Sequence, residues 1–514
     1  MYIGDHARLR PDHPALIDAG TGAVLTYAEL DARSNRLAHL LRAAGLKPGD
    51  VLALYMENNP RFLEIAWAAL RSGLYLTAVN RYLTAEEAAY IINDSDAVAL
   101  VSSRAKAEVA AELPARCPAL RCLLMTDGAI DGWDGYEDAI AAFPPTPVPD
   151  ETAGEFMLYS SGTTGRPKGV RRPLRNEHPS NDSLLASTIS EYGFDPDTVY
   201  LSPAPMYHAA PLAFSMLVQR AGGIVVMMPR FDAAECLALI QRYRVTHAQF
   251  VPTMFVRMLK LPDEERRRYD VSSLRVAIHA AAPCPVEVKR AMMEWWGPVI
   301  YEYYGGTEAN GRTAITPQEW LARPGSVGRA LLGILHICDE SGTELPPGES
   351  GLVYFERDTM PFAYHKDPGR TEAAQHPIHP NWSTLGDVGY ADADGYLYLT
   401  DRKAFMIISG GVNIYPREIE DVLISHPLVR DVAVFGLPDA EMGERVQAVV
   451  EPSDAAVPGE ALAADLLAYA GQHLARFKLP KAIDFSAALP RLPTGKLYKQ
   501  ALRAEYLARL PSGG

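Results

Sequence analysis

Residues 159–169 form a segment rich in glycine and hydroxyl side chains, with the composition of a phosphate-binding loop. The segment comprises Tyr159, Ser160, Ser161, Gly162, Thr163, Thr164, Gly165, Arg166, Pro167, Lys168 and Gly169. Its glycines permit backbone conformations closed to other residues, its hydroxyls and amides can donate hydrogen bonds to phosphate oxygens, and Lys168 adds a positive charge. The spacing is not that of a Walker A loop. A flexible surface turn would explain the glycines alone but not the appended Pro-Lys-Gly, so we expect a phosphate site.

Five further short segments with possible binding residues lie along the rest of the chain. They are Tyr304-Gly305-Gly306-Thr307-Glu308, Leu385-Gly386-Asp387, Asp401-Arg402, Ser409-Gly410-Gly411-Val412-Asn413-Ile414-Tyr415-Pro416 and Pro493-Thr494-Gly495-Lys496. With residues 159–169 they resemble, in order, the motifs of the adenylate-forming superfamily, which includes acyl-CoA synthetases, peptide-synthetase adenylation domains and beetle luciferases. The resemblance covers essentially the whole chain and is closest in type to bacterial acyl-CoA synthetases (fatty-acid–CoA ligases).

This resemblance implies an ATP-dependent acid–CoA ligase. Such an enzyme activates a carboxylic acid as an acyl-adenylate with release of pyrophosphate, and then forms acyl-CoA and AMP. The resemblance also implies the nucleotide-binding residues. The β- and γ-phosphates would be held by Ser160, Ser161, Gly162, Thr163, Thr164 and Gly165; adenine would lie between Tyr304-Gly305 and Ala281-Ala282-Pro283; and the ribose would be held by Asp387, with Arg402 nearby.

The resemblance places the catalytic groups around the α-phosphate. Thr307 would bind that phosphate, Glu308 and Thr163 would hold Mg²⁺, and Lys496 would bridge the α-phosphate and the substrate carboxylate, with Lys168 as a further cation. A carboxylate that attacks a phosphate brings negative charges together, so positioning and charge neutralisation are the main catalytic needs. One lysine and a divalent cation meet them. Alone, each of these residues would be an ordinary surface or helix-terminal group; in this order they indicate catalysis.

The second half-reaction requires a thiol to reach the adenylate. Gly410 and Gly411 offer a strip without side chains along which the pantetheine arm of coenzyme A could pass. The resemblance further implies that the domain carrying this strip and Lys496 rotates between the two half-reactions. At the usual pivot position, where Asp or Lys is frequent, this chain has Ala404.

Three residues are candidates for the acyl pocket: His208, Phe250 and Gly306. A lone histidine is more often a packing residue, but the family places a histidine or an aromatic residue here beside the acyl group. Gly306 replaces what is often a larger residue, which would leave room for the acid. The expected lining segments are apolar and contain no Lys or Arg. We therefore expect a hydrophobic monocarboxylic acid, of medium or longer chain or bearing a ring.

Alternating helix and strand patterns in the first ~350 residues predict parallel sheets with helices on their faces. Thr26 precedes a helix over 27–44, Thr84 and Glu87 form a capping box, and residues 51–55 form a buried strand. A Pro-rich connector at 143–150 leads into a second α/β unit, and residues 325–400 suggest a small β-barrel. We expect an α/β fold with a large domain, 1–400, of two doubly wound subdomains and the barrel, and a small mobile α+β domain, 401–514.

Composition excludes several function classes. The formal net charge of −14 argues against nucleic-acid binding. The five cysteines include no C-x-x-C pair, which fits reduced thiols better than a disulfide frame. Neither a secretory signal nor an apolar run of about 20 residues is present, so we expect a cytoplasmic protein with no membrane span. The sequence does not determine the oligomeric state.

Two alternatives stay open at this stage. A stand-alone adenylation protein could load an acyl carrier protein instead of free CoA. A catalytically inactive nucleotide-binding sensor is the other possibility, although the presence of Lys168, Glu308, Asp387 and Lys496 argues against it. Light emission is a remote option that no residue singles out.

Overall fold

The computed structural model describes residues 1–160, 167–181, 183–402, 405–409, 412–439, 442–491 and 497–509. In chain order, the first part comprises α1 (Ile3–Leu9), β1 (Pro14–Asp18), β2 (Val24–Thr26), α2 (Tyr27–Ala43), β3 (Val51–Tyr55), α3 (Arg61–Arg71), β4 (Tyr75–Ala78), α4 (Ala85–Asp94), β5 (Ala97–Ser103), α5 (Ala107–Ala110), α6 (Leu113–Arg116), β6 (Cys122–Thr126), β7 (Asp134–Gly135), α7 (Tyr136–Ala141), β8 (Glu155–Phe156) and β9 (Leu158–Ser160).

The middle part of the chain continues the alternation and then turns to antiparallel strands. It comprises β10 (Lys168–Arg171), α8 (Ser183–Tyr192), β11 (Val199–Ser202), α9 (Ala209–Ala221), β12 (Ile224–Met227), α10 (Ala233–Tyr243), β13 (His247–Phe250), α11 (Pro252–Leu259), α12 (Asp263–Arg267), β14 (Val276–His279), α13 (Val286–Trp296), β15 (Ile300–Gly305), β16 (Arg312–Ile315), α14 (Pro317–Ala322), β17 (Arg329–Leu332), β18 (Ile334–Cys338), β19 (Gly351–Glu356), β20 (Ala363–Tyr364), α15 (Pro368–Ala373), β21 (Trp382–Ala391) and β22 (Leu397–Arg402).

Local sequence explains where the predicted helices begin. The Thr26 side chain accepts a hydrogen bond from the backbone N–H of Glu29, whose carboxylate accepts one from the N–H of Thr26, so two orphan donors of α2 are satisfied. Thr84 and Glu87 form the same capping box at α4, as predicted. Strand β3 is buried at every residue, as a strand of a parallel sheet covered on both faces requires.

Two large sheets form the core of the first ~330 residues. The six-stranded sheet has the order β7-β6-β5-β3-β4-β8, and every pair in it is parallel. The nine-stranded sheet has the order β17-β16-β15-β14-β13-β11-β12-β1-β2. Its pairs from β15 to β1 are parallel, and its edges are antiparallel. The N-terminal strand β1 therefore completes the second unit, and β8, after the Pro-rich connector, completes the first.

Two smaller antiparallel sheets lie between these units and the C-terminal region. One has the order β20-β10-β9; the other, β18-β19-β21-β22, occupies the place for which a small barrel was expected. Strand β22 pairs with β21 and runs across the predicted domain boundary, which stays a prediction.

The C-terminal residues have a core of their own. Their elements are β23 (Ile407–Ser409), β24 (Val412–Ile414), α16 (Pro416–Ile424), β25 (Val429–Asp439), β26 (Gly443–Pro452), α17 (Glu460–His473), β27 (Ala482–Phe485) and α18 (Lys499–Arg509). The sheet follows the order β24-β23-β26-β25, with β27 beside β26. Leu423 of α16, Val434 of β25 and Leu466 of α17 meet in one buried cluster, which gives this α+β unit independent apolar packing.

Side-chain hydrogen bonds to backbone carbonyls join this unit to the rest of the chain. The ammonium of Lys260 donates to the carbonyl oxygen of Val429 over 2.6 Å, and Arg417 donates to the carbonyl of Leu399 over 3.0 Å. No helix in the described ranges combines the length and hydropathy of a transmembrane span. The five cysteines all lie in these ranges and are buried free thiols.

Candidate functional site

The carboxyl ends of the parallel strands in the nine-stranded sheet converge on one edge. Because parallel strands end on the same side, the loops after β11, β13, β14 and β15 meet there, which is where ligands bind in open α/β sheets. His208 and Ala281 lie in these loops, Phe250 is the last residue of β13, and the 305–308 segment begins at the last residue of β15. The fold therefore places the three predicted acyl residues and the predicted residues around 281 and 304–308 at one edge of one sheet.

Buried charge behind this edge fixes two of the strands. Lys289 of α13 donates to Glu302 of β15 over 2.7 Å, and His279 of β14 lies 3.3 Å from the same carboxylate. Burial alone would raise the pKa of Glu302, but Lys289 and His279 lower it to about 2. The carboxylate stays charged, so its ion pair with Lys289 ties α13 to β15, with His279 of β14 packed beside it, just below the segments that carry Ala281 and Tyr304.

Tyr304 and Asp387 come together across two sheets. The Tyr304 hydroxyl donates to Asp387 Oδ2 over 2.7 Å, and Asp387 is only 7% exposed. Residue 387 pairs in register with residue 402 on β22, so the backbone of Arg402 lies beside it. The predicted adenine and ribose contacts thus form one unit.

Glu308 lies in a tight turn directly after β15. The backbone N–H of Ala309 donates to the carbonyl of Gly306 over 3.1 Å, and Ala309 has a positive φ of 51°. Ala281, on the neighbouring strand end, also has a positive φ, 74°. Non-glycine residues at positive φ are uncommon and tend to cluster at functional sites. Both lie on the wall of the same cavity.

The carboxylate of Glu308 is nearly buried and accepts a hydrogen bond from a tyrosine. Glu308 is 7% exposed, and its Oε1 accepts a hydrogen bond from Tyr364 over 2.9 Å. In the described part of the chain, no basic side chain is within ion-pair distance of it. An almost buried carboxylate without a counter-ion is a costly arrangement that a bound cation would relieve.

Lys168 lies at the end of the predicted phosphate loop. Residue 168 pairs with residue 160, so β9 and β10 bring the two ends of the loop together. The Lys168 ammonium lies 5.0 Å from the centre of the Tyr364 ring. Lys168 and Glu308 therefore share one aromatic neighbour.

One cavity of about 1040 Å³ connects these groups with the acyl candidates. Its wall includes Lys168, His208, Phe250, Ala281, Gly305, Gly306, Thr307 and Glu308. Helix α9 contributes Ala209, Ala210, Ala213, Phe214 and Leu217 to the same wall, and Trp67 and Leu70 also line it. Tyr304 directly precedes Gly305 of the cavity wall, and Asp387 is hydrogen-bonded to Tyr304. Ala282 and Pro283 are exposed and are not part of this wall.

The predicted acyl residues differ in character. Burial lowers the pKa of His208 to about 4, so its ring is neutral at physiological pH. Phe250 is 1% exposed, and its ring packs against Phe255 and Trp296, so it belongs mainly to the core. A Cβ on Gly306 would lie 2.3 Å from Leu385 and 2.8 Å from the Glu308 carboxylate. The room expected at Gly306 is therefore filled by Leu385 and Glu308.

The cavity wall also contains arginines that the lining segments did not predict. They are Arg172, Arg175, Arg220, Arg312 and Arg357. Arg172 donates to Glu155 over 2.7 Å, Arg220 to the carbonyl of Pro179 over 2.6 Å and Arg357 to the carbonyl of Ala309 over 3.0 Å. Arg312 pairs with Glu191. These four already neutralise or bind protein groups.

Several predicted residues lie outside the described residues. They are Ser161, Gly162, Thr163, Thr164, Gly165, Ala404, Gly410, Gly411 and Lys496. Ser160 and Arg402 are described through their backbones alone. The predicted roles of all these residues stay predictions.

Sequence reasoning missed two residues that shape the site, Tyr364 and Asn58, and it placed Leu385 in a motif without predicting its contact with Gly306. Tyr364 binds Glu308, and Leu385 fills the space beside Gly306. Asn58, from the first unit, accepts from the N–H of Met206 over 2.8 Å and donates to the carbonyl of Ala204 over 3.0 Å, which fixes the loop that leads to His208. Each acts across a long separation in sequence, so no local pattern marks it.

The donor set around Glu308 suits a cation held largely by a bound polyphosphate. Within the described ranges, no group of three or more His, Cys, Asp or Glu side chains could hold a metal ion on its own. Mg²⁺ at nucleotide sites is bound through one or two carboxylates together with phosphates and waters. One uncompensated carboxylate near Lys168 fits that pattern.

Comparisons with known proteins agree with this arrangement. The AMP-binding enzyme family matches residues 4–364, and the AMP-binding enzyme C-terminal domain matches residues 418–496. A long-chain-fatty-acid–CoA ligase of Mycobacterium tuberculosis, FadD13, is 34% identical and aligns over 99% of this chain and 98% of its own. Feruloyl-CoA synthase of an Amycolatopsis species is 34% identical, over 97% of both chains.

Two further proteins complete the comparison. A fatty acid–acyl-carrier-protein ligase of Streptomyces coeruleorubidus, ScoC, is 32% identical over 98% of this chain and 95% of its own. ATP-bound MatB from Rhodopseudomonas palustris superposes with a TM-score of 0.82, with 31% identity and 99% of both chains covered. The first family region includes Lys168, His208 and Glu308, and the four proteins align over at least 97% of this chain, so this chain is an enzyme that belongs to the AMP-binding family of the adenylate-forming superfamily.

Proposed function

We propose that this protein is an ATP-dependent acid–CoA ligase that forms acyl-AMP and then acyl-CoA. One observation carries the proposal: Lys168, Glu308 and the 305–307 segment line the same cavity as the apolar face of α9. A charged nucleotide end and an apolar acid end in one space are what adenylation of a hydrophobic acid requires.

In the proposed complex, the nucleotide lies along the carboxyl edge of the nine-stranded sheet. Tyr304 stacks on adenine with Ala281, Ala282 and Pro283 opposite, and Asp387 binds the ribose. The 2.7 Å hydrogen bond between Tyr304 and Asp387 supports this role because it fixes the ring plane relative to the ribose-binding carboxylate. Thr307 lies next to Glu308 on the cavity wall, where it can donate to the α-phosphate.

The first step joins the acid to the α-phosphate. A carboxylate oxygen of the acid attacks the α-phosphorus, the bond to the bridging oxygen of the β-phosphate breaks, and pyrophosphate leaves with that electron pair. Bound Mg²⁺ supplies charge neutralisation for the phosphates. Glu308 and Thr163 hold the ion, Lys168 with residues 160–165 holds the leaving phosphates, and Lys496 bridges the two reacting groups.

The second step transfers the acyl group from the adenylate to the thiol of CoA. The sulfur attacks the acyl carbonyl carbon and gives its proton to solvent, the bond from that carbon to the phosphate oxygen breaks, and AMP leaves with that electron pair. Gly410 and Gly411 line the path of the pantetheine arm in this proposal. The C-terminal unit has a buried apolar core of its own, which supports a rotation between the steps.

We infer that the acid is a hydrophobic monocarboxylic acid, of medium or longer chain or bearing a ring. The small side chains Ala209, Ala210 and Ala213 leave an apolar groove along α9, and Phe214 and Trp67 offer aromatic contacts. Of the cavity arginines, Arg172 and Arg312 are paired with carboxylates, whereas Arg220 and Arg357 donate to backbone carbonyls, so dicarboxylic acids belong in the test below. The names of FadD13 and feruloyl-CoA synthase fit a chain and a ring, respectively.

An acid panel that measures AMP and thioester separately tests the proposal. We expect acid-dependent AMP and thioester formation, with medium-chain, long-chain or aromatic acids preferred. Acetate or a dicarboxylate as the best substrate would refute the acid class. Absence of acid-dependent pyrophosphate release with every acid in the panel would instead indicate a sensor.

The carrier-protein alternative has its own support in the similarity to ScoC. Free CoA and a phosphopantetheinylated carrier protein should be compared as acceptors for one good acid. A large preference for the carrier would replace the CoA-ligase assignment while leaving the adenylation step intact.

A further inference from the structure

We propose that Tyr364 is a positioning residue that couples the phosphate loop to the metal-binding carboxylate. Its hydroxyl orients Glu308 for the divalent cation, and its ring supports the ammonium of Lys168. This inference rests on the proposed function, because it assumes that MgATP occupies the cavity. Tyr364 itself lines that cavity.

The hydroxyl leaves Glu308 one defined orientation. Tyr364 donates to Oε1 over 2.9 Å, while Oε2 lies so close to Gly306 that a Cβ there would come within 2.8 Å of it. The carboxylate is thus held at Oε1 by a donor, while Oε2 occupies the space beside Gly306 that a side chain there would fill. A nearly buried acid gains more from one well-aligned donor than an exposed acid does, because water cannot replace that donor.

The ring reaches Lys168 through strand pairing. Residue 364 of β20 pairs with residue 170 of β10, so Lys168 is a diagonal neighbour on the same face of the sheet. The ammonium lies 5.0 Å from the ring centre, within the range of a cation–π interaction. The pairing continues next to this point, where the N–H of His365 donates to the carbonyl of Gly169 over 2.8 Å.

The backbone of Tyr364 is itself anchored. Its N–H donates to the Thr371 hydroxyl over 2.9 Å, which ties β20 to the first turn of α15. Removal of the hydroxyl alone should therefore leave the strand and the ring in place. The two functions of the side chain can be separated: the hydroxyl acts only when a cation is bound, and the ring acts on phosphate binding with or without the cation.

Equilibrium ATP binding in the absence of acid separates these functions without turnover. Isothermal titration with ATP in EDTA and with ATP plus Mg²⁺ gives the factor by which Mg²⁺ strengthens binding. The proteins are wild type, Tyr364→Phe, Tyr364→Leu and Tyr396→Phe. The last is the matched control, because Tyr396 donates to Glu319 over the same 2.9 Å, away from the cavity.

The expected results differ for each protein. Tyr364→Phe should reduce the Mg²⁺ factor about ten-fold, as expected for loss of a hydrogen bond to a charged group, with metal-free affinity within about two-fold of wild type. Tyr364→Leu should show the same loss and also weaken metal-free ATP binding about three-fold, through loss of the cation–π contact. Tyr396→Phe should match wild type in both measurements.

Three results would overturn the inference. They are an unchanged Mg²⁺ factor in Tyr364→Phe, an equal loss in Tyr396→Phe, and parallel weakening of both affinities in Tyr364→Phe, which would indicate general loosening. Failure of wild type to bind ATP under either condition would instead refute the proposed function. Failure of the inference and failure of the proposed function are therefore distinguishable.

Discussion

The two ends of the cavity are built in different ways. The nucleotide end gathers Lys168, Tyr364 and Asp387 from three strands and Glu308 from the turn after a fourth, at separate places in the sequence. The acid end is formed largely by successive turns of one helix, α9, with Ala209, Ala213 and Leu217 on one face. Loss of a charged group at a fixed position lowers the rate of the reaction strongly, whereas a change in an apolar wall alters the binding of each acid by a small amount. Substitutions at the first end should therefore act on all acids alike, and substitutions at the second should act on each acid according to its size.

The largest effect is expected for Lys496→Ala. Loss of a cation that bridges the reacting groups should lower acyl-AMP formation about a thousand-fold for every acid, since such electrostatic stabilisation is worth that much in other enzymes. Thioester formation from a pre-made acyl-adenylate should stay near the wild-type rate. Equal loss of both half-reactions would contradict the assigned role.

Glu308→Gln should have the next largest effect. It keeps the shape of the side chain and removes the charge that faces the cation, so adenylation should fall about a hundred-fold whichever acid is used. Acid-dependent pyrophosphate release, measured across Mg²⁺ concentrations, checks this expectation. A loss confined to long acids would break the comparison between the two ends.

Ala213→Phe should change selectivity more than rate. The added ring would fill the groove along α9, so kcat/KM should fall about ten- to a hundred-fold for long or ring-bearing acids and little for short acids. Ala233→Phe, on α10 outside the cavity, is the control. Equal losses for short and long acids would show that the groove does not hold the acyl tail.

The smallest effect concerns acid stability. The folded-state pKa of His208 is about 4, below its unfolded value of about 6.5. Between these values the unfolded chain binds a proton that the folded chain does not, so stability falls as the pH is lowered through this window and is intact above it. His208→Phe should reduce the loss of unfolding free energy between about pH 7 and about pH 5 by roughly 1–2 kcal/mol. Denaturant unfolding at both pH values measures it, and identical slopes in variant and wild type would contradict it.

The fold was predictable wherever the determinants are local. The boundaries of α2, β3 and the capping box at Thr84 followed from spacing and caps, and the structure confirms them. The sequence did not reveal that β1 pairs with β12, about 200 residues away, or that β8 joins the first sheet. Non-local pairing leaves no periodic signal in one sequence.

The site shows the same division. The ordered motifs identified Lys168, Glu308, Tyr304 and Asp387, which the structure brings to one region. They did not identify Tyr364, and they included Leu385 without its contact to Gly306, because each acts through a neighbour that is distant in sequence. The expectation of extra space beside Gly306 was wrong for the same reason: the Leu385 side chain occupies that space.

Ala281 holds a backbone conformation that glycine would adopt with less strain. Glycine there should raise the melting temperature of the protein. It would also make the backbone of the proposed adenine-binding segment more flexible in the enzyme without ATP. Selection for heat resistance alone would be expected to accumulate glycine at this position. Selection for activity at low ATP concentration would be expected to retain alanine.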